Sequence, residues 1–233
     1  MIKVAVFFSV FGGAQPHWKF MNSYIKSVRN FYQFEGGENY EFAEKFCTVR
    51  HLEASRNAIV GMAREGFSHQ GSLFRPHITL WFDLDLIIPE STIFSLVKSD
   101  KNVITGIYYT KRSAIPVISN EDKEGYLLTF TKYPFDIDFE VDFGAIGCMR
   151  IDVDVLKTLD APYFSWQSLD KTKNYPEKDF YMRHHCKLMS EEVIFFKQIR
   201  EKGHKVYVNP NLQCIHIGEK ETGLREYVNR YGD

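Results

Sequence analysis

His77-Ile78-Thr79-Leu80-Trp81-Phe82-Asp83-Leu84-Asp85-Leu86-Ile87-Ile88-Pro89 is apolar almost throughout, yet it carries two aspartates in its middle. A run of this length closed by a proline predicts a strand buried in a parallel sheet. Asp83 and Asp85 stand two apart, so an ideal strand would point both to one face. An unpaired carboxylate inside a sheet costs on the order of several kcal/mol. The pair is therefore expected at the strand's C-terminal end, where open α/β sheets hold their ligands. Two carboxylates there repel each other unless a cation joins them. A hard divalent ion, Mg²⁺ or Mn²⁺, suits oxygen ligands and shares its shell with substrate phosphates. Exposed turn aspartates or helix caps are the plainer use of the same residues.

The chain has 233 residues, the size of one large domain. Hydrophobic residues are 44% and aromatics 15%, enough for a sizeable core. The formal net charge of −1 gives no global argument for nucleic acid or an anionic membrane. Cys47, Cys148, Cys186 and Cys214 form no metal-ligand spacing and read as free thiols of a reducing compartment. The N-terminus runs directly into a strand-like segment, with no signal-peptide pattern. No stretch is long and uncharged enough to span a membrane. The expectation is a soluble, cytoplasmic protein.

Working outward, residues 2–10 are β-branched and aromatic and predict the first strand. Residues 9–15 then form a loop in which Gly12-Gly13 either brings backbone close to a ligand or only turns the chain. Trp18, Met21, Ile25, Val28 and Tyr32 recur at helical spacing. Residues 34–44 read as a polar connection and 46–50 as a second strand. Ser55 is a good N-cap, with Ile59, Met62 and Ala63 as the inward stripe of the helix it opens. Arg56 at a helix start opposes the macrodipole, so it is either merely exposed or neutralises a phosphate. Residues 66–76 read as a loop. Beyond Pro89, Ser91 or Thr92 caps a helix, residues 103–110 form a strand, 111–125 a polar loop, and 126–131, 139–143 and 148–151 further strands. Val155, Leu156 and Leu159 mark another helix.

Residues 161–187 are aromatic and polar without a period, and contain the basic run Arg183-His184-His185-Cys186-Lys187. A long loop of this kind suggests a lid or an acceptor contact. Ser190-Glu191-Glu192 opens the strongest helix, with both glutamates where the dipole favours them. Capping accounts for Ser190 and one glutamate and leaves catalytic use of the other open. Residues 205–208 read as a strand, Pro210 as a turn and 212–217 as a last strand. His216 is either structural or a metal ligand. A short amphipathic tail helix closes the chain. Strands and helices alternate first and mix later, which predicts an α/β sandwich with a mixed sheet.

The order of these pieces resembles a GT-A fold glycosyltransferase of the family 2-like kind, over roughly residues 2–218. Ser55-Arg56-Asn57 resembles the Arg-Asn at the head of the helix before the metal motif, and Asp83-Leu84-Asp85 the Asp-x-Asp signature. Gly144-Ala145-Ile146-Gly147 resembles the glycine loop before a strand such as Met149-Arg150-Ile151. Ser190-Glu191-Glu192, followed by Gly203-His204-Lys205 and His216-Ile217-Gly218, resembles the family's x-Glu-Asp helix and C-terminal metal histidine.

The resemblance implies a GT-A three-layer sandwich with a central mixed, mostly parallel sheet. Residues 1–110 would form the nucleotide-binding half, 111–218 the acceptor half and 222–233 the tail. It implies transfer of a sugar from a nucleotide-diphosphate sugar, a UDP-sugar, to an acceptor hydroxyl with inversion. Asp85, Asp83 and His216 would serve Mn²⁺ or Mg²⁺. Ser9, Arg56, Asn57, Asp83, Gly144 and Gly147 would lie against nucleotide or sugar. Glu192 falls where the family has its catalytic Asp and would take the acceptor's proton, with Glu191 as the substitute. The acceptor stays open among glycan, protein, small molecule and modified nucleic-acid base. The competing readings are a sugar nucleotidyltransferase, a non-catalytic nucleotide- or carbohydrate-binding module of the same fold, and a metal phosphodiesterase. The first would call for a basic residue beside Gly12-Gly13, and no Lys or Arg stands between them and Lys19.

Overall fold

The computed structural model describes residues 1–11, 15–35, 38–49, 51–111, 114–123, 127–130, 132–165, 167–168, 188–189, 191–218 and 221–231. Strand β1 (Ile2–Phe11) lies beside β2 (Tyr40–Val49) and β5 (Ile78–Asp83), parallel to both. Its alternation explains the layers. Val4, Val6 and Phe8 face one core with Phe20, Tyr24 and Phe31 of helix α1 (Trp18–Glu35). Ala5 and Phe7 face the other, with Ile59, Val60 and Ala63 of α2 (Leu52–Glu65). Successive residues of a strand point to opposite faces, so one apolar run supplies two cores. Helix α3 (Thr92–Lys98) joins the first layer, and α4 (Val153–Thr158) and α5 (Glu191–Glu201) join the second.

The seven-stranded sheet is completed by β7 (Val103–Ile107), β10 (Phe139–Val141), β11 (Cys148–Asp152) and β14 (Val206–Gln213), in the order β10-β14-β7-β11-β5-β1-β2. β11 runs antiparallel to both neighbours, β5 and β7, while β14 is parallel to β7 and β10 antiparallel to β14. The C-terminal ends of β1, β5, β7 and β14 therefore share one edge with the N-terminal end of β11. Paired two- and three-residue strands decorate the sheet: β3 (Phe67–His69) with β4 (Ser72–Phe74), β6 (Leu86–Ile87) with β15 (Ile215–His216), β8 (Ser119–Glu121) with β9 (Leu127–Thr129), and β12 (Gln167–Ser168) with β13 (Leu188–Met189). The last helix is α6 (Leu224–Tyr231).

Several local expectations are corrected. The second strand starts at Tyr40, inside the segment read as a connection, because every residue of β2 finds a partner on β1. Residues 67–74 form a hairpin rather than a loop. Helix α2 begins at Leu52: the Ser55 amide already bonds the His51 carbonyl, and the Ser55 hydroxyl donates to Cys47 O of β2 at 2.7 Å instead of capping. Arg56 thus sits in the second turn, and the argument from the helix terminus does not apply to it. The strand of the opening stretch stops at Asp83, and residues 84–85 turn the chain into β6. Pro210 lies within β14, where pairing with β7 shifts register between Val208 and Gln213; an irregularity of this sort is where a strand tolerates proline. The Ser190 cap and the basic run 183–187 lie outside the described residues, as do Gly12 and Gly13. The three described cysteines, Cys47, Cys148 and Cys214, are buried free thiols. Among the described residues no helix is long and apolar enough to cross a membrane.

Candidate active site

The shared sheet edge gathers two groups of ionisable side chains. The inner group is built on Arg56. Its guanidinium is 1% exposed. Nη1 donates to Glu191 Oε1 at 2.9 Å and to Glu192 Oε1 at 2.8 Å, and Nη2 lies 3.6 Å from Asp83 Oδ2. α2 delivers the arginine from below the sheet, α5 brings both glutamates in its first turn, and β5 ends on the aspartate. Burial works against charge on Arg56, but Glu192, Asp83 and Glu191 more than reverse that and hold it firmly protonated. Three carboxylates around one guanidinium leave negative charge in excess. Asp83 carries the consequence: burial first, then Asp85 and Glu192, push it up to about 6 against the pull of Arg56. Glu191 is almost wholly buried, whereas Glu192 keeps 24% of its side chain open.

The support under this group is aromatic. Phe164 stacks on Phe195 at 4.3 Å between centroids, Trp81 flanks both, and the Arg56 guanidinium lies 5.9 Å over the Phe164 ring. Asn57 fixes that ring. Its Oδ1 accepts from the amides of Tyr163 and Phe164, and its Nδ2 donates to Phe164 O and Glu53 O. The Asn57 amide is thereby spent on the backbone of residues 163–164. Gly147, which precedes β11, closes the other side. Its carbonyl accepts from the Asp83 amide at 3.0 Å, and a Cβ there would lie 2.6 Å from Asp83 Oδ2, so only glycine fits. Gly144 lies against Thr105 and Val206 of the sheet.

The outer group is built on Asp85, in the turn after β5. Oδ2 accepts from Lys111 Nζ at 2.6 Å and lies 3.4 Å from His216 Nε2. Burial would raise this carboxyl, but hydrogen bonds from His216 and Lys111 overcome it and hold Asp85 down at about 2. The β15–β6 pairing places His216: Ile217 N donates to Asp85 O at 2.7 Å. The ring is oriented by its other nitrogen, with Nδ1 2.9 Å from Tyr109 O. The Tyr109 carbonyl accepts, so Nδ1 carries hydrogen and Nε2 is the ring atom that faces Asp85. Thr222 hydrogen-bonds the Lys111 carbonyl and both backbone groups of His216.

Of the residues expected at a site, the fold brings Arg56, Asp83, Glu191, Glu192 and Gly147 together, and Asp85 with His216 beside them. Ser9 pairs in register with Asp83 across β1 and β5. Asn57 is engaged elsewhere, and Gly144 lines a cavity that Glu192 also borders. Two neighbours escaped the sequence reading. Lys111 looked like one cation in a polar loop, although it follows closely on the C-terminal end of β7, the sheet edge that favours ligands. Tyr108 is buried, and its hydroxyl accepts from the Gly147 amide at 3.4 Å, a longer and weaker bond. Burial, Glu192 and Asp83 keep it protonated.

A cavity of about 390 Å³ opens beside Glu192, between α5 and the β8–β9 hairpin. No family model matches the sequence and no curated protein matches it. Among solved structures the chain is similar to A197 from STIV, with a TM-score of 0.55 at 14% identity, over 94% of this chain and 87% of that one. It is also similar to the catalytic domain of Drosophila β1,4-galactosyltransferase 7 in complex with xylobiose, with a TM-score of 0.43 at 11% identity over 95% of this chain and 68% of that one. For TarS of S. aureus the TM-score is 0.39 at 11% identity, over 89% of this chain and 35% of that one. The fold is an α/β sandwich around a mixed, mostly parallel seven-stranded sheet.

Proposed function

We propose that this protein is a glycosyltransferase that moves a sugar from a nucleotide-diphosphate sugar, a UDP-sugar first, to an acceptor hydroxyl with inversion. The observation that carries the proposal is the clamp of Arg56 on Glu191 and Glu192. It fixes two neighbouring glutamates differently, one buried and fully engaged, the other turned toward an open cavity. A catalytic base needs a held geometry and access to its substrate, and Glu192 has both. In the reaction the acceptor oxygen attacks the anomeric carbon. The bond from that carbon to the diphosphate oxygen breaks, its electron pair leaves with the nucleoside diphosphate, and the hydroxyl proton passes to Glu192. Attack in line with the departing group inverts the carbon.

The outer group fits a hard divalent ion as a two-ligand site. Among the described residues no three His, Cys, Asp or Glu side chains gather to form a complete protein shell. Asp85 and the Nε2 of His216 would hold the ion, with diphosphate oxygens and water completing its shell, the usual arrangement for Mg²⁺ and Mn²⁺. Bound there, it would neutralise the charge that develops on the departing diphosphate. Asp83 would meet the ribose or water next to the ion, and Arg56 acts behind the carboxylates as a positioning residue. One observation favours a second reading. Lys111 already sets an ammonium on Asp85, and that cation could itself face the diphosphate.

A thermal-shift panel of UDP, GDP, CDP and dTDP, with and without Mn²⁺, tests the proposal. A nucleotide at about 100 times its Kd adds about 2.7 kcal/mol, or roughly 5–10 °C for a chain of this size. One nucleotide is expected to stabilise the protein in the presence of Mn²⁺, and Asp85→Ala to remove the effect. Glu192→Gln is expected to leave that shift in place while lowering turnover of the donor by about 10²–10⁴. Silence of all four nucleotides would overturn the reading.

A further inference from the structure

We propose that the cavity beside Glu192 is the acceptor site, and that it takes a hydroxyl acceptor carried on an apolar aromatic body rather than a bare sugar chain. The inference rests on the glycosyltransferase reading and names its missing substrate class. Among the described residues lining the cavity, Glu192 is the ionisable side chain. The rest of the described wall is mostly apolar, with Ile115, Val117 and Ile118 from the segment before β8, Leu127 from β9 and Val193 from α5, and its side-chain hydroxyls are those of Thr110, Ser119 and Thr129.

The wall has few polar atoms to offer. Ser119 and Phe143 exchange both backbone hydrogen bonds, at 2.9 and 3.0 Å. The Val117 amide donates to Tyr108 O, and the Ile115 amide to the Thr110 hydroxyl. The two phenyl rings are also engaged. Arg200 lies 5.4 Å over Phe143, and Phe196 packs edge-on against Phe195. A polyhydroxylated ligand pushed into this wall would lose water from several hydroxyls and gain fewer partners than it lost, which is costly. An apolar ring would lose nothing of the kind. The volume suits a small-molecule body. The Glu192 carboxylate at its side suits the one hydroxyl that reacts. A bound aryl glycoside or phenol would thus seat its apolar part between α5 and the β8–β9 hairpin and present its oxygen to Glu192. The proton released when that oxygen bonds the anomeric carbon goes to the Glu192 carboxylate, as above.

The test compares 4-nitrophenyl β-D-glucopyranoside with methyl β-D-glucopyranoside by ligand-observed NMR titration on the full chain. The nucleotide panel with Mn²⁺ is run on the same samples. Burying one aromatic ring predicts about tenfold or more tighter binding of the aryl compound. Two variants read the location. Ile115→Asp places a charge on the wall, and Thr129→Trp, at an exposed position, fills the mouth without touching the core. Both are expected to erase the aryl preference and to leave the nucleotide shift unchanged. Equal binding of the two glucosides, or an aryl preference that survives both variants, overturns the inference while the nucleotide shift keeps the glycosyltransferase reading standing. Aryl binding at this cavity with no nucleotide response overturns the glycosyltransferase reading, and the acceptor role with it.

Discussion

Asp83 and Asp85 are the same residue type two positions apart, and the fold treats them in opposite ways. Asp83 ends β5 and turns inward to a buried arginine shared with two glutamates. Its side chain is 24% exposed and its carboxyl is pushed up to about 6. Asp85 sits in the turn, 42% exposed, between a lysine and a histidine, and its carboxyl is held at about 2. Desolvation and crowding by like charge govern the first, and direct hydrogen bonds from His216 and Lys111 the second. A signature that reads as one metal motif thus holds one carboxylate poised to share a proton and one that stays ionised across the working range. The inner group is suited to positioning and proton transfer, and the outer to gripping cations.

Removing Arg56 should break the contrast most severely. Arg56→Met leaves Glu191, Glu192 and Asp83 facing one another in a dry site. Stripping one partner from a buried ion cluster costs about 3–5 kcal/mol. Urea denaturation should find that loss, and a variant of wild-type stability would mean that the cluster is not formed in solution.

Replacing Asp83 should sharpen it with a smaller effect of opposite sign. Its carboxyl has a higher pKa in the folded chain than the ordinary 3.8, so folding favours the protonated form. The ionised form therefore weakens the fold above about pH 6, and the penalty vanishes as pH falls through 6 toward 3.8. Asp83→Asn should gain about 1–3 kcal/mol at pH 7.5 and nothing at pH 4, the open quarter of the side chain trimming the gain. Denaturation midpoints at the two pH values check this. A loss of stability at pH 7.5 would show that Arg56 outweighs burial.

Lys111 gives the smallest change in stability. Its pair with Asp85 is exposed on both sides, and such pairs contribute about 0–1 kcal/mol. Lys111→Ala should barely move the melting temperature yet tighten Mn²⁺ binding in calorimetry, because a competing cation has gone. If instead the nucleotide shift disappears from metal-free samples, the ammonium faces the diphosphate and the second reading gains.

The sequence by itself determined much of the frame. The β-branched and aromatic run of residues 2–10, the apolar run into Asp83 and the helical stripe of Val193, Phe196 and Ile199 report local composition and periodicity, which are written in neighbouring residues. They placed β1, β5 and α5 and the sheet edge between them. Strand β2 was partly hidden because it lies at the sheet's edge, where exposed polar positions dilute the pattern. The Asp-x-Asp pair, Glu191, Glu192 and His216 were legible as types at the right places. Their roles were not. That Arg56 lies beneath the carboxylates instead of capping a helix, that Asn57 is consumed by residues 163–164, and that Lys111 reaches Asp85 depend on contacts between residues 26 to 136 positions apart. Only the tertiary structure decided those, because the charge state and orientation of a side chain are set by whatever the fold packs against it, and no local pattern encodes that.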